Sequence, residues 1–94
     1  MREYEIIYIV HPDLEDSAFE EVVERVQSWI TSDGGEVVKT EDWGKRKLAY
    51  LIRKQSEGHY IKLDATLAPS SIKDLERNFR ILESILRFII VAKK

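Results

Sequence analysis

A chain of 94 residues with 44% hydrophobic content has room for one domain, spanning 1–94, around one core, and a formal net charge of only −2 excludes a surface that grips polyanions everywhere. The absence of cysteine rules out a disulfide framework, a thiolate zinc site and thiol catalysis. No apolar run approaches the ~18 residues that a membrane span needs, and Met1-Arg2-Glu3 leads straight into a strand-like segment, so the expectation is a soluble, untargeted protein.

Tyr4 to Val10 alternates β-branched and aromatic residues in the manner of a pleated surface, which predicts the first strand. His11-Pro12-Asp13 breaks it, because proline has no amide to donate and biases the residue before it away from helix. A helix follows. Ser17-x-x-Glu20 has the form of a capping box, and Phe19, Val22, Val23, Val26, Trp29 and Ile30 recur at helical spacing as one apolar stripe. Gly34-Gly35 ends it.

Glu36 to Ile52 reads as a long strand interrupted by a bulge near Asp42 to Gly44, and Ser56-Glu57-Gly58 supplies turn chemistry before the next strand. From Tyr60 to Leu67, Ile61, Leu63, Ala65 and Leu67 share one face, the pattern of a half-buried strand. Pro69-Ser70-Ser71 opens a second helix with Ile72, Leu75, Phe79 and Leu82 on one side, and Ile85 to Val91 closes as a strand. The order β-α-β-β-α-β predicts a ferredoxin-like α+β fold: a four-stranded antiparallel sheet, first and third strands central, with two helices on one face.

Charge is unevenly spread along this pattern. Asp13 to Glu24 carries six acids and no base, whereas Lys39 to Lys54 carries six bases against Glu41 and Asp42. Three consecutive cations, Lys45, Arg46 and Lys47, repel one another unless water or an anion relieves them, and phosphate backbones are the commonest polyanions a protein meets. A solvated hairpin is the competing reading of charge alone.

The stretch Gly44-Lys-Arg-Lys-Leu-Ala-Tyr-Leu-Ile52 decides between them. Together with Tyr4-Glu5, His11-Pro12-Asp13, Leu75-Glu76-Arg77 and Leu86-Arg87, it resembles the bacterial-type small-subunit ribosomal protein six family over nearly the whole chain. The resemblance implies a non-catalytic structural protein of the cytoplasmic ribosome. It also implies binding of 16S ribosomal RNA as a heterodimer with small-subunit ribosomal protein eighteen on the platform, with no cofactor. The chain ends almost flush with its last strand, unlike family members with longer C-terminal tails, so contacts made by such tails do not carry over.

On that reading the RNA contacts are Lys45, Arg46 and Lys47 at the bulge, Arg53 and Lys54 at the far end of the same strand, Arg2 at the neighbouring terminus, and Arg87 and Lys93 at the border of the open sheet face. Arg46 ranks first, because a guanidinium holds phosphate bidentately. Ile7, Ile9, Tyr60, Ile89 and Val91 form the partner-binding patch on that uncovered face. Leu48, Tyr50 and Ile52 are assigned to core and cross-strand packing. Trp43 either stacks on a base or partner, or closes the hairpin end of the core. Arg77 and Arg80 are solvated or paired with neighbouring carboxylates, unless they reach RNA.

Catalysis is not expected. An enzyme type of this fold, the acylphosphatase type, needs a phosphate-binding backbone loop with an arginine, and an asparagine that orients water, whereas Asn78 lies mid-helix and His-Pro-Asp-Leu-Glu joins the first strand to the first helix. His11 and His59 lack metal-ligand spacing and are assigned to turn or surface positions, so no metal is expected. The alternative from another class is a protein-only module that homodimerises through Ile7, Ile9, Ile89 and Val91 and leaves the cations solvated.

Overall fold

The elements follow in the expected order: β1 (Arg2–Val10), α1 (Asp16–Thr31), β2 (Glu36–Ile52), β3 (Gln55–Leu67), a 3-10 turn (Pro69–Ser71), α2 (Ile72–Ile81) and β4 (Ile85–Ala92). The computed structural model describes residues 1–93, and Lys94, the tip of the tail, lies outside them. The strands pair antiparallel in the order β2-β3-β1-β4, so β1 and β3 are central as the split βαβ topology requires.

The core lies between the sheet and the helices. Ile6, Tyr8 and Val10 from β1, Ile61, Leu63, Ala65 and Leu67 from β3, and Val22, Val26 and Ile30 from α1 are all buried there. Phe79 of α2 is its aromatic hub. Its ring stacks on Phe88 at 5.0 Å, meets Trp29 edge-on at 5.4 Å and lies tilted against Tyr8 at 5.5 Å.

Both helix boundaries have local causes. The capping box at Ser17 does not form: α1 starts two residues earlier than that box requires, with Glu15 as its extended N-cap and no side-chain cap bond, so Ser17 already lies within the first turn. At the other end Gly34 has φ +84°, its N–H donates to Thr31 O at 3.1 Å, and Gly35 N–H donates to Ile30 O at 2.9 Å. This is a Schellman ending, and the left-handed residue makes it inexpensive only for glycine.

The turn between β2 and β3 differs from expectation. It is Arg53-Lys54, with φ +49° and +67°, and Ile52 pairs directly with Gln55. Two left-handed residues are what a two-residue hairpin turn demands, at a cost of about 1 kcal/mol or more for each non-glycine. Arg53 Nη1 donates to Glu83 O at 2.9 Å, which offsets part of that cost. Ser56, Glu57 and Gly58 therefore belong to β3. Gly58 is required for another reason: a Cβ there would collide with Ile9 Cγ2.

The lengths of the strands explain this collision. β1 ends at Val10, opposite His59, whereas the β2–β3 ladder continues through Arg46 and Gly58 to Ile52 and Gln55. The overhanging hairpin has no third strand beside it, and it curls over the sheet face that the helices leave open.

Candidate functional site

The register lays out the open face in rows across β3, β1 and β4. Tyr60, Ile9 and Arg87 form one row, Lys62, Ile7 and Ile89 the next, then Asp64, Glu5 and Val91. The first two rows are mainly apolar. The third is charged, and its carboxylates hold nearby cations: Lys62 Nζ is 2.9 Å from Glu5 and 3.7 Å from Glu41, and Lys93 Nζ is 3.0 Å from Asp64. The hydrogen bond to Glu5 leads the causes that raise the Lys62 pKa above its ordinary value, against the opposing pull of burial.

The hairpin folds back over the apolar rows and leaves a groove of about 310 Å³ lined by Ile7, Ile9, Leu48, Tyr50, Ile52, Tyr60, Arg87 and Ile89. The face is thus half covered by the chain itself, contrary to the expectation of an open sheet. Ile9 is only 7% exposed beneath Gly58, whereas Ile89 and Val91 stay half exposed, with Val91 outside the groove. Leu48, Tyr50 and Ile52 line this groove and are not core residues. Tyr50 is 59% exposed, its hydroxyl accepts a hydrogen bond from Arg87, and the Arg87 guanidinium lies over its ring. The hairpin is therefore strapped to β4 at two points, Tyr50 to Arg87 and Arg53 to the Glu83 carbonyl.

The cations divide into two groups by location. Lys45 pairs with His59 and Arg46 with Gly58, at the same end of the sheet as Arg87, and Arg53 and Lys54 form the hairpin tip. Arg2 is opposite Leu67, eight residues along β1 from Val10, or roughly 26 Å away at ~3.3 Å per residue. It is not a neighbour of the bulge, because β1 runs away from it. Lys93 belongs to the far end as well, where its N–H donates to Glu3 O.

They also divide by pairing. Lys39, Lys62, Lys93, Arg77 and Arg80 each lie within 4.0 Å of a carboxylate, Arg77 with Asp74 and Arg80 with Glu76. Among the described residues no carboxylate pairs with Lys45, Arg46 or Lys47, which are exposed. The ribbon thus carries three cations without an ion pair within 4.0 Å, Glu57 lying opposite Lys47 in the ladder, in a chain of net negative charge.

The bulge that carries the ribbon is built by Asp42. The ladder passes from Asp42 opposite Ile61 to Gly44 opposite Tyr60, so Trp43 is the extra residue, and Gly44 takes φ +77°. Asp42 Oδ1 accepts from the Gly44 N–H at 2.8 Å and lies 2.6 Å from His59 Nε2. His59 is not a free surface histidine. Its ring stacks on Phe19 of α1 at 4.0 Å and 19°, which ties the bulge to the helix layer. Trp43 does not close the core either: it is 36% exposed, with the Arg46 guanidinium 5.3 Å from its ring centre and Arg46 Nε directed at its carbonyl.

Partial burial would raise the Asp42 pKa, but the hydrogen bonds from His59 and Gly44 outweigh it and hold the carboxyl below its ordinary value of 3.8. A carboxylate whose pKa is lowered on folding contributes stability that is present above its unfolded value and is lost as pH falls through the folded one. The carboxylate is half exposed, so screening limits the pair to less than about 1 kcal/mol. Wild type should melt slightly above Asp42→Asn at about pH 7, and the gap should begin to narrow as pH falls below about 3.8; a gap that does not depend on pH in thermal melts would disprove this role. The same carboxylate adds to burial, the larger cause, in pushing the Tyr8 hydroxyl pKa well up, and that hydroxyl has no hydrogen-bond partner among the described residues.

Fold and face together define a class: a ferredoxin-like split βαβ domain with an apolar groove on one sheet face and a cationic ribbon beside it. The model of the ribosomal protein S6 family matches residues 3–92. The small ribosomal subunit protein bS6 of Caldanaerobacter subterraneus subsp. tengcongensis is 41% identical over 91 residues, 97% of this chain and 96% of that one. The crystal structure of 30S ribosomal protein S6 from Thermotoga maritima superposes with a TM-score of 0.93 at 31% identity, over 98% of this chain and 87% of that one. A chemotaxis kinase P2 domain from Thermotoga maritima shares the fold alone, with a TM-score of 0.64 and 16% identity over 98% of each chain.

The chain belongs to the ribosomal protein S6 family. It is a structural, non-enzymatic component of the small subunit of the cytoplasmic ribosome, as the family resemblance implied.

Two parts of the site escaped the sequence reading. The Asp42–His59 pair joins residues seventeen apart, but Asp-x-Gly with a polar side chain two residues before a left-handed glycine is a recognisable local signal. The groove wall from β2 could have been inferred from strand lengths, since a 17-residue β2 must run past a nine-residue β1 and leave a two-stranded overhang.

Proposed function

We propose that the chain binds 16S ribosomal RNA together with small-subunit ribosomal protein eighteen, as a heterodimer that builds the platform of the subunit. The observation that carries this reading is the run of three consecutive cations, Lys45, Arg46 and Lys47, that stand exposed without an ion pair, whereas Lys39, Lys62, Lys93, Arg77 and Arg80 each have a carboxylate neighbour. Phosphate contacts from the ribbon fix orientation, and the shape of folded RNA supplies selectivity. Arg87, Arg53 and Lys54 flank the ribbon at the same end, so the first two exchange internal hydrogen bonds for phosphate if they join it. Arg2 and Lys93 serve a second contact at the opposite end.

The apolar rows seat the protein partner. Ile89 lines, and Val91 lies beside, a groove whose lining also includes Ile7, Ile9 and Tyr60, and both are half exposed. A partner that docks there buries apolar surface and, being itself basic, contributes phosphate contacts that a chain of net charge −2 lacks.

Retention of 16S fragments in a gel, with and without ribosomal protein eighteen, tests the reading. Cooperative retention is expected, strong with both proteins and weak with this chain alone. Absence of retention in both lanes, with a homodimer formed through Ile89 and Val91, would instead establish the protein-only module.

A further inference from the structure

We propose that Trp43 and Arg46 form a stacking site for an unpaired RNA nucleobase, and that Asp42 and His59 are its positioning residues. The inference rests on the reading that the ribbon meets RNA, and it names the part of the RNA that this site takes.

Trp43 is the residue that the bulge expels from the ladder, so no cross-strand neighbour covers it. It keeps 36% of its surface in water, lies outside the core cluster and takes no part in lining the apolar groove. The backbone at the bulge is uncrowded, since a Cβ on Gly44 would meet no residue beyond its chain neighbours within 4 Å. The Arg46 guanidinium, 5.3 Å from the ring centre and turned towards the Trp43 carbonyl, sets a second planar π-surface next to the indole. A nucleobase is the flat, apolar-faced, electron-rich group that such a pair accepts, and the flanking Lys45 and Lys47 hold the phosphates on either side of it. Bases inside an A-form duplex are stacked already and out of reach, so the site selects a looped-out or single-stranded nucleotide.

A protein partner suits this spot less well. An indole that anchors a protein interface lies in a ring of apolar contacts, whereas Trp43 stands among Asp42, Gly44, Lys45 and Arg46.

The mount is rigid. Asp42 Oδ1 holds the Gly44 N–H at 2.8 Å and His59 at 2.6 Å, and His59 in turn stacks on Phe19, which packs against the core. The indole is thereby held in place before RNA arrives, and little conformational entropy remains to be lost on stacking.

The test uses the chain in complex with ribosomal protein eighteen and a retained 16S fragment. Trp43→Ala should weaken RNA binding about tenfold with an unchanged salt slope, and Trp43→Phe should recover most of the loss. The tryptophan emission that distinguishes wild type from Trp43→Phe should be quenched when RNA is added. Asp42→Asn and His59→Gln should each cost affinity in the wild-type background and none in the Trp43→Ala background, a coupling that a merely folding-related role would not produce. Wild-type affinity in Trp43→Ala, while RNA is still retained, overturns the stacking site and leaves the RNA reading intact. Quenching by the protein partner before RNA is added overturns it in favour of a protein contact, and failure of the wild-type complex to retain RNA overturns both.

Discussion

Replacing Lys45, Arg46 and Lys47 together by alanine should flatten the salt dependence of RNA binding by about 2 to 3 in log–log slope, since each neutralised phosphate contributes roughly 0.7 to 0.9. The affinity advantage of the wild-type complex over the triple variant should then shrink roughly thirtyfold between about 50 mM and about 200 mM salt. The size of the effect follows from the lack of competing carboxylates: these three side chains have no internal ion pairs to break before they meet phosphate. Alanine at Lys39, Lys62 and Arg77 is the matched control, because those cations already have carboxylate neighbours. If the two triple variants change the slope equally, the ribbon has no special place in binding.

Phe79→Ala should have the largest effect on stability. The ring is 1% exposed and touches Tyr8, Trp29 and Phe88, so its removal takes out a side chain that joins α1, α2, β1 and β4. Truncating a fully buried phenylalanine costs about 3–5 kcal/mol, a large share of the ~5–15 kcal/mol that holds a domain of this size. A fall in melting temperature of more than about 12 °C is expected, and a shift of only a few degrees would mean that the three neighbours close the cavity without cost. Phe79 lies on the helix side of the sheet and the ribbon on the β2–β3 hairpin. The folded fraction of this variant should therefore keep the wild-type salt slope.

The architecture was legible because core residues repeat with the period of their element. Ile61, Leu63, Ala65 and Leu67 alternate through β3 and all four are buried; Val22, Val26 and Ile30 recur along α1 and are buried too. Features set by single contacts were harder to read. Arg53-Lys54 contains neither glycine nor asparagine, so the hairpin turn left no compositional mark, while the nearby glycine that drew attention, Gly58, is there to let Ile9 approach. Ser17 and Glu20 carry the letters of a capping box at a position already inside the helix.

The candidate site was legible in part. The cationic run is visible in one dimension, but its freedom from ion pairs depends on which carboxylates the fold brings near, and only three-dimensional placement separates Lys45 from Lys62. The same holds for distance. Arg2 stands close to the first strand's start in sequence, and the antiparallel register carries that start to the end of the sheet remote from the bulge. Tyr50 was assigned to packing because its alternation with Leu48 and Ile52 is that of a buried strand face. The overhang beyond β1 gives that face no layer to pack against except the chain's own open sheet.

The central claim, that the ribbon at the β2 bulge meets ribosomal RNA phosphates, is tested most directly by lysine acetylation read by mass spectrometry, comparing the free chain with assembled small subunits. Lys45 and Lys47 should react freely in the isolated protein, be protected in the subunit, and regain reactivity after nuclease digestion. Equal acetylation of Lys45 and Lys47 in the free and assembled states would contradict it.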